Sequence, residues 1–168
     1  RIYRADETPA VEIGARNIEK LKLKLYHLNL EEFFRKSHGV HDIDSLDLAL
    51  IDPDKEWEVT LDGYSEYLPI QQTIPLPVEP GPGVWAVNVS EEDYQSTTLV
   101  IRSDLDIIVK ASRKQVLVFA QNLTAQQPIE AAQILVSNGE KVFLEAETNS
   151  DGVLLQAAPE LHSAGTLT

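Results

Sequence analysis

The sequence predicts an all-β fold of two consecutive antiparallel β-sandwiches, with one short helix inserted in the first. Three observations predict this fold class. Hydrophobic residues alternate with polar ones along many short segments, turn-forming residues separate these segments at short intervals, and a single segment has clear helical periodicity. Short strands at this spacing are typical of a sandwich or a barrel and argue against a parallel sheet.

The strands of the first half are predicted from period-two alternation. Leu21, Leu23 and Leu25 alternate with lysines, which indicates a half-buried strand with one wet face. Alternation also places Trp57 and Trp85 on inward faces, which favours core packing over a sugar-binding surface. Further strands are predicted at residues 11–13, 56–61, 71–76, 84–89 and 94–101, with a weaker one at 46–51.

One segment after Asn29 has the spacing of a helix. Leu30, Phe33 and Phe34 stand at positions i, i+3 and i+4, with two glutamates in the first turn and two basic residues in the last. Asn29 is a favourable N-cap residue. We therefore predict a short helix near residues 29–36.

A domain boundary is predicted where Arg102, Ser103 and Asp104 interrupt two apolar β stretches. In this interpretation these three residues form an interdomain hinge between a first sandwich at residues 1–103 and a second at 104–168. The first sandwich has roughly the 100 residues of a seven-stranded domain. The second has strand candidates at 107–111, 115–121, 129–137, 141–147 and 153–156, so we expect it to be smaller or truncated.

Two turns are predicted in the second sandwich. Asn138-Gly139 predicts a type I′ hairpin turn, because that turn needs positive φ at both central residues. Residues 149–152 predict a tight turn in which Gly152 has a positive φ.

Composition excludes several classes of function. The chain has 27 acidic and 14 basic residues, a formal net charge of −13, which argues against binding nucleic acid or an anionic membrane surface. Its lack of cysteine excludes disulfides, thiolate metal ligands and a cysteine nucleophile. No apolar run approaches the roughly 20 residues of a membrane span, and the first ten residues are too polar for a signal peptide. Because methionine is absent, we interpret the chain as a fragment of a longer protein.

Metal and catalytic chemistry is predicted to be absent. His38 and His41 stand three apart, but Gly39 predicts a loop rather than the helix that would bring them together. An EF-hand beginning at Asp52 would have Trp57 where its loop needs glycine. The candidate calcium ligands in this region are the acidic residues Asp42, Asp44, Asp52, Asp54 and Glu56. Since phosphate-binding loops, nucleophile elbows and dinucleotide fingerprints are also missing, we predict no catalytic residue, metal or cofactor.

Several motifs between Leu76 and Gln156 resemble those of bacterial alpha-2-macroglobulin-like proteins, in the same order. They are P-G-V-W at 82–85, S-D-L at 103–105, Q-P-I-E-A-A-Q-I at 127–134 and T-N-S-D-G-V at 148–153. The segment at 23–31 is similar to that family's strand and helix start. Ala131 departs from the family's glycine, and residues 126–127 depart from its Thr-Gly. The second half alone also resembles transthyretin-like and carboxypeptidase-regulatory modules.

The resemblance implies a fold and a role. The fold would be two immunoglobulin-like, macroglobulin-type sandwiches, and the role that of non-catalytic scaffold modules in a bacterial endopeptidase inhibitor that traps proteases. Its partners would be neighbouring modules of the same parent chain, with proteases as prey of the intact protein. The location would be extracytoplasmic, either periplasmic or secreted and at the cell surface. The thioester of many members needs Cys-x-x-Gln, which this chain lacks.

Two alternatives remain open at this point. One is an adhesin or carbohydrate-binding surface module of sandwich fold. The other is an accessory module of a carboxypeptidase-like enzyme.

Overall fold

The computed structural model describes residues 2–39, 48, 51–92, 94–112 and 114–162. The chain folds into two compact units. Unit 1 comprises residues 1–29 and 42–103, and unit 2 comprises residues 30–41 and 104–168. Most of the weak strand prediction at 46–51 lies outside the described residues.

Unit 1 is a sandwich of a five-stranded and a two-stranded sheet. The larger sheet has the order β1-β7-β6-β3-β4, and the smaller one pairs β2 with β5. Every pairing is antiparallel except that of β1 with β7. The strands are β1 (Ile2–Tyr3), β2 (Ala10–Arg16), β3 (Lys20–His27), β4 (Lys55–Thr60), β5 (Pro69–Pro75), β6 (Gly83–Glu91) and β7 (Tyr94–Arg102).

The core of unit 1 lies between these two sheets. Leu23 and Val87 of the larger sheet are 0% exposed, and Val11 and Ile74 of the smaller sheet pack in the same cluster. Each such side chain contributes about 1.5–3 kcal/mol by leaving water. The predicted alternation is confirmed here, because Trp85 is buried in this cluster and Trp57 packs against it.

Unit 2 is built around a central strand, β9. On one side β9 pairs with β8, and on the other with β13 and the short β10, while β11 and β12 form a separate hairpin. Its buried core consists of Val116, Val118, Leu154 and Ala158. The strands are β8 (Leu105–Ala111), β9 (Gln115–Asn122), β10 (Gln127–Pro128), β11 (Gln133–Ser137), β12 (Val142–Glu147) and β13 (Val153–Ala157).

The predicted helix is present as α1 (Leu30–Ser37). It lies between β3 and β4 in sequence, yet it belongs to unit 2. The guanidinium of Arg35 donates to both carboxylate oxygens of Glu145 on β12, at 3.0 and 2.6 Å. Arg35 also pairs with Glu31 one turn earlier in α1. The described residues contain no helix with the length and apolarity needed to cross a bilayer.

The all-β fold with one short helix is confirmed, and two local predictions are corrected. The single strand expected at 129–137 is interrupted, because Ala131 has φ 56° and the carbonyl of Ile129 accepts the hydroxyl of Thr148. Asn138-Gly139 does form part of a hairpin, but φ is positive at Gly139 and not at Asn138, so the turn is not type I′.

Candidate functional site

The predicted hinge lies at the passage from β7 to β8. Arg102 is the last residue of β7, and Leu105 is the first of β8, so Ser103 and Asp104 alone connect the two strands. These two connecting residues belong to different units, Ser103 to unit 1 and Asp104 to unit 2.

Arg102 is a buried charge, 4% exposed, and two of its side-chain nitrogens donate to main-chain carbonyls. Its Nε donates to the carbonyl of Gly81 and its Nη2 to that of Glu79, both in the proline-rich turn before β6. Its Cζ lies 5.3 Å from the ring centroid of Trp85, a cation–π distance. The arrangement ties the end of β7 to the turn that leads into its neighbour, because charged donors make stronger hydrogen bonds than neutral ones.

Gly83 gives the Trp85 ring its place beneath this guanidinium. A Cβ at Gly83 would lie 2.6 Å from a ring carbon of Trp85, closer than two carbons can approach. A side chain at position 83 would therefore require the Trp85 ring to move.

The strand β1 holds the same end of β7. Tyr3 stands opposite Arg102 in a parallel pairing, and the amide of Ser103 donates to the carbonyl of Tyr3 at 2.9 Å. The Tyr3 hydroxyl in turn donates to the carbonyl of Ala10 at 2.6 Å, which connects β1 to the smaller sheet. Main-chain hydrogen bonds thus hold the chain in unit 1 through Ser103.

Asp104 is held by unit 2. Its carbonyl accepts the amide of Leu123 at 2.8 Å, and the ladder of β8 with β9 begins at the next residue, with Leu105 opposite Asn122. At this junction the change from unit 1 to unit 2 therefore falls at the peptide bond between Ser103 and Asp104, and the chain also passes between the units on either side of residues 30–41. That this bond acts as a hinge stays a prediction.

The carboxylates weighed for calcium have other partners where they are described. Asp54 accepts the amide of His27 at 2.6 Å, and Glu56 accepts the ammonium of Lys22 at 2.6 Å. The hydrogen bond from Lys22 lowers the pKa of the Glu56 carboxyl below its usual value. Among the described residues, no group of three or more histidine, aspartate or glutamate side chains is arranged to hold a metal. His41, Asp42 and Asp44 lie outside the described residues.

Unit 1 contains a cleft of about 530 Å³ between β2 and the hairpin of β6 with β7, which the sequence does not predict. Its walls come from strands distant in sequence, and no local pattern marks it.

Comparison with solved structures found similar folds among bacterial alpha-2-macroglobulins. A segment of the Escherichia coli protein spanning its domains NIE-MG1 matches with a TM-score of 0.68 and 16% identity, covering 88% of this chain and 77% of that one. A longer segment, MG0-NIE-MG1, matches with a TM-score of 0.67 and 16% identity, covering 88% and 51%. Salmonella alpha-2-macroglobulin reacted with methylamine gives a TM-score of 0.59 at 12% identity, covering 95% and 10%.

These likenesses show the fold, and they agree with the resemblance found in the motifs. The chain spans about half of the longer Escherichia coli segment and a tenth of the Salmonella chain. No protein family model and no curated protein sequence matches the chain.

Proposed function

We propose that the chain forms non-catalytic scaffold modules of a bacterial alpha-2-macroglobulin-like endopeptidase inhibitor, a protein that traps proteases. The observation that carries this proposal is the likeness to the NIE-MG1 segment, since it extends over 88% of the chain and therefore over both units. The order of the motifs between Leu76 and Gln156 supports it independently of the fold.

A structural role for the junction fits this proposal. Arg102, a buried charged residue, directs its Nε and Nη2 donors to main-chain carbonyls of its own unit rather than toward a ligand site. We propose that Arg102, Ser103 and Asp104 act as a hinge between two domains at residues 1–103 and 104–168. Small rotations there would let neighbouring modules change position when the trap closes.

The partners and location belong to the same proposal. Neighbouring modules of the parent chain would be the direct partners, and proteases would be prey of the intact protein. The parent would work outside the cytoplasm, in the periplasm or at the cell surface. The thioester, where the parent has one, would be supplied by another module, because this chain has no cysteine.

The two other functions have less support. A sugar-binding surface would use exposed aromatic rings, but Trp85 is buried and Trp57 packs against the same core. An accessory module of a carboxypeptidase-like enzyme would account for unit 2 and not for unit 1.

The proposal is tested by comparing the parent protein with the isolated chain. The parent is incubated with trypsin, and residual activity is measured on a large protein substrate and on a small chromogenic peptide. We expect the parent to block hydrolysis of the protein substrate while small-peptide hydrolysis persists, because trapping excludes large substrates. The isolated chain should inhibit neither reaction.

Two results would contradict the proposal. One is equimolar inhibition of trypsin by the isolated chain, which would place an inhibitory site within it. The other is a parent that leaves hydrolysis of the large substrate unchanged after its own cleavage by trypsin.

A further inference from the structure

The cleft of unit 1 lies beside the free edge of the smaller sheet. Residues 10–15 of β2 form one wall, and residues 89–91 of β6 with residues 94–100 of β7 form the other. Because the smaller sheet has two strands, it leaves the inner face of β7 partly uncovered. Tyr94, Ser96 and Thr98 are exposed on that face, in register with inward residues of β6.

The main chain of β2 has hydrogen-bonding groups available along this edge. The amide of Leu76 donates to the carbonyl of Pro9, which sets the phase of the β2–β5 ladder. Hydrogen-bonded pairs recur at every second residue of an antiparallel ladder, so the amides and carbonyls of Ala10, Glu12 and Gly14 point away from β5. The Ala10 carbonyl accepts the Tyr3 hydroxyl, whereas the main-chain amides and carbonyls of Glu12 and Gly14 have no partner among the described residues.

The opposite edge of the same sheet is protected against strand addition. In β5, Pro69 and Pro75 stand opposite Arg16 and Ala10 of β2. By the same alternation, the main-chain groups at these two proline positions point away from β2. Proline has no amide hydrogen, and it commonly guards exposed sheet edges. One edge is therefore blocked at both ends, while the edge at the cleft presents Gly14, where a Cβ would meet nothing within 4 Å.

The charge of the cleft indicates the chemistry of its occupant. The described residues that line it include two carboxylates, Glu12 and Glu91, and no cationic side chain. On an added strand, side chains opposite Glu12 would lie beside it, and opposite charges across strands are favourable. Deeper in the cleft the walls are apolar, with Val11, Ile13 and Val89.

We propose that unit 1 binds an extended, basic polypeptide segment, which adds to the free edge of β2 as a third strand of the smaller sheet. Main-chain hydrogen bonds to Glu12 and Gly14 hold the segment. Alternate side chains enter the cleft above β7, and lysine or arginine residues between them lie on the outer face beside Glu12 and pair with its carboxylate. This binding site does not depend on the proposed scaffold role and can exist in any protein that contains unit 1.

The test uses a capped peptide of about nine residues, the length of a strand, that alternates lysine with valine and threonine. Affinity for the full chain is measured by calorimetry, and the binding position by amide NMR shifts. We expect the largest shifts at Glu12, Gly14 and residues 95–99. The same peptide with glutamate in place of lysine should bind at least about tenfold more weakly.

Two variants at one position separate strand addition from general charge attraction. Gly14→Pro removes the outward amide and should weaken binding at least about tenfold, whereas Gly14→Ala keeps the amide and should bind within about twofold of the unchanged chain. A lysine peptide with N-methylated amides on one edge keeps the charge and should not bind. Glu12→Lys, which leaves the backbone unchanged, should reverse the preference between lysine and glutamate peptides.

Several results would overturn the proposal. They are equal binding by the Gly14→Pro and Gly14→Ala chains, undiminished binding of the N-methylated peptide, shifts confined to unit 2, or no binding of the lysine peptide at millimolar concentration. Thermal melting of each variant shows whether it is folded. If Gly14→Pro unfolds the chain, the Glu12→Lys comparison decides.

Discussion

Units 1 and 2 share a sandwich architecture but cover their cores to different extents. In unit 1 the inward residues at the middle of the central strands β3 and β6 are buried, as Leu23 and Val87 show at 0% exposure. In unit 2 the inward row of β8 faces the same side as buried Val118 of β9, yet its members remain about half exposed. They are Leu105 at 50%, Ile107 at 51% and Val109 at 51%.

Both second sheets have two strands, so the difference lies in which strands the second sheet of unit 2 covers. The hairpin of β11 and β12 supplies the partly buried residues that pack on β9 and β13, and no residue of β8 belongs to that cluster. β8 nevertheless pairs with β9 along seven residues, from Leu105 to Ala111. Hydrogen bonding is therefore complete where hydrophobic burial is not, and we expect unit 2 to be the less stable unit.

The largest effect is expected from Gly152→Val in unit 2. Gly152 has φ 71°, and an added Cβ would lie 2.5 Å from the carbonyl oxygen of Ala120 and 2.8 Å from a carbon of Pro128. Backbone strain and steric overlap together should lower the free energy of unfolding of unit 2 by roughly 3–5 kcal/mol. Hydrogen exchange, followed residue by residue, should show lost protection in β9 and β13 with little change in β3 and β6.

Gly139→Val is the matched control for this substitution. Gly139 has φ 89° but open space around its Cβ position, so only the strain of roughly 1–3 kcal/mol applies. Equal loss of protection across residues 1–103 and 104–168 in Gly152→Val would show one cooperative unit and reject the proposed domain boundary.

A smaller effect should distinguish the two sides of the β8–β9 ladder. Val118 and Val109 stand directly opposite each other, at 2% and 51% exposure. Val118→Ala should cost about 2–3 kcal/mol, because it leaves a cavity, whereas Val109→Ala should cost less than about 1 kcal/mol. Denaturant unfolding of both variants provides the measurement. Similar losses would mean that β8 is covered in solution, which would remove the contrast between the units.

The smallest effect is expected from the ion pair that joins α1 to β12. Hydrogen bonds from Arg35 lower the pKa of the Glu145 carboxyl. Because the folded pKa is the lower one, the pair adds stability above the ordinary glutamate pKa of 4.5, and this contribution disappears as the pH falls through the folded value. Glu145→Gln should therefore melt at a lower temperature than the unchanged chain at neutral pH and at the same temperature in acid.

Glu147→Gln, an exposed position of the same strand, is the control for this comparison. A difference between the Glu145→Gln chain and the unchanged chain that persists at low pH would show that the ion pair is not its source.

Local patterns were sufficient to predict most strands and the helix. Alternation identified β3 and β4 because each has one face in the core, and the spacing of Leu30, Phe33 and Phe34 identified α1. The Asn149–Gly152 turn was also predictable. There the Asn149 side chain accepts the amides of Asp151 and Val153, and Gly152 takes the expected positive φ.

Features that depend on distant pairing could not be predicted. β1 has two residues, too few for any period, and it is recognised only through its pairing with β7. The place of α1 in unit 2 involves the ion pair of Arg35 with Glu145, 110 residues away. At the junction, the domain boundary at Arg102 to Asp104 was predicted from a break in the apolar pattern. The role of the Arg102 side chain required the positions of Glu79, Gly81 and Trp85, which alternation does not give.

The parallel pairing of β1 with β7 has a mechanical consequence. Ile2 lies beside Ile101 and Tyr3 beside Arg102, so a pull on the two ends of unit 1 in opposite directions slides β1 along β7. In this shear geometry the bonds between the strands, including that from Ser103 to Tyr3, bear the load together rather than in succession. Tension along the chain would detach β1 in a single step, while the antiparallel ladder of β6 and β7 remained paired behind it.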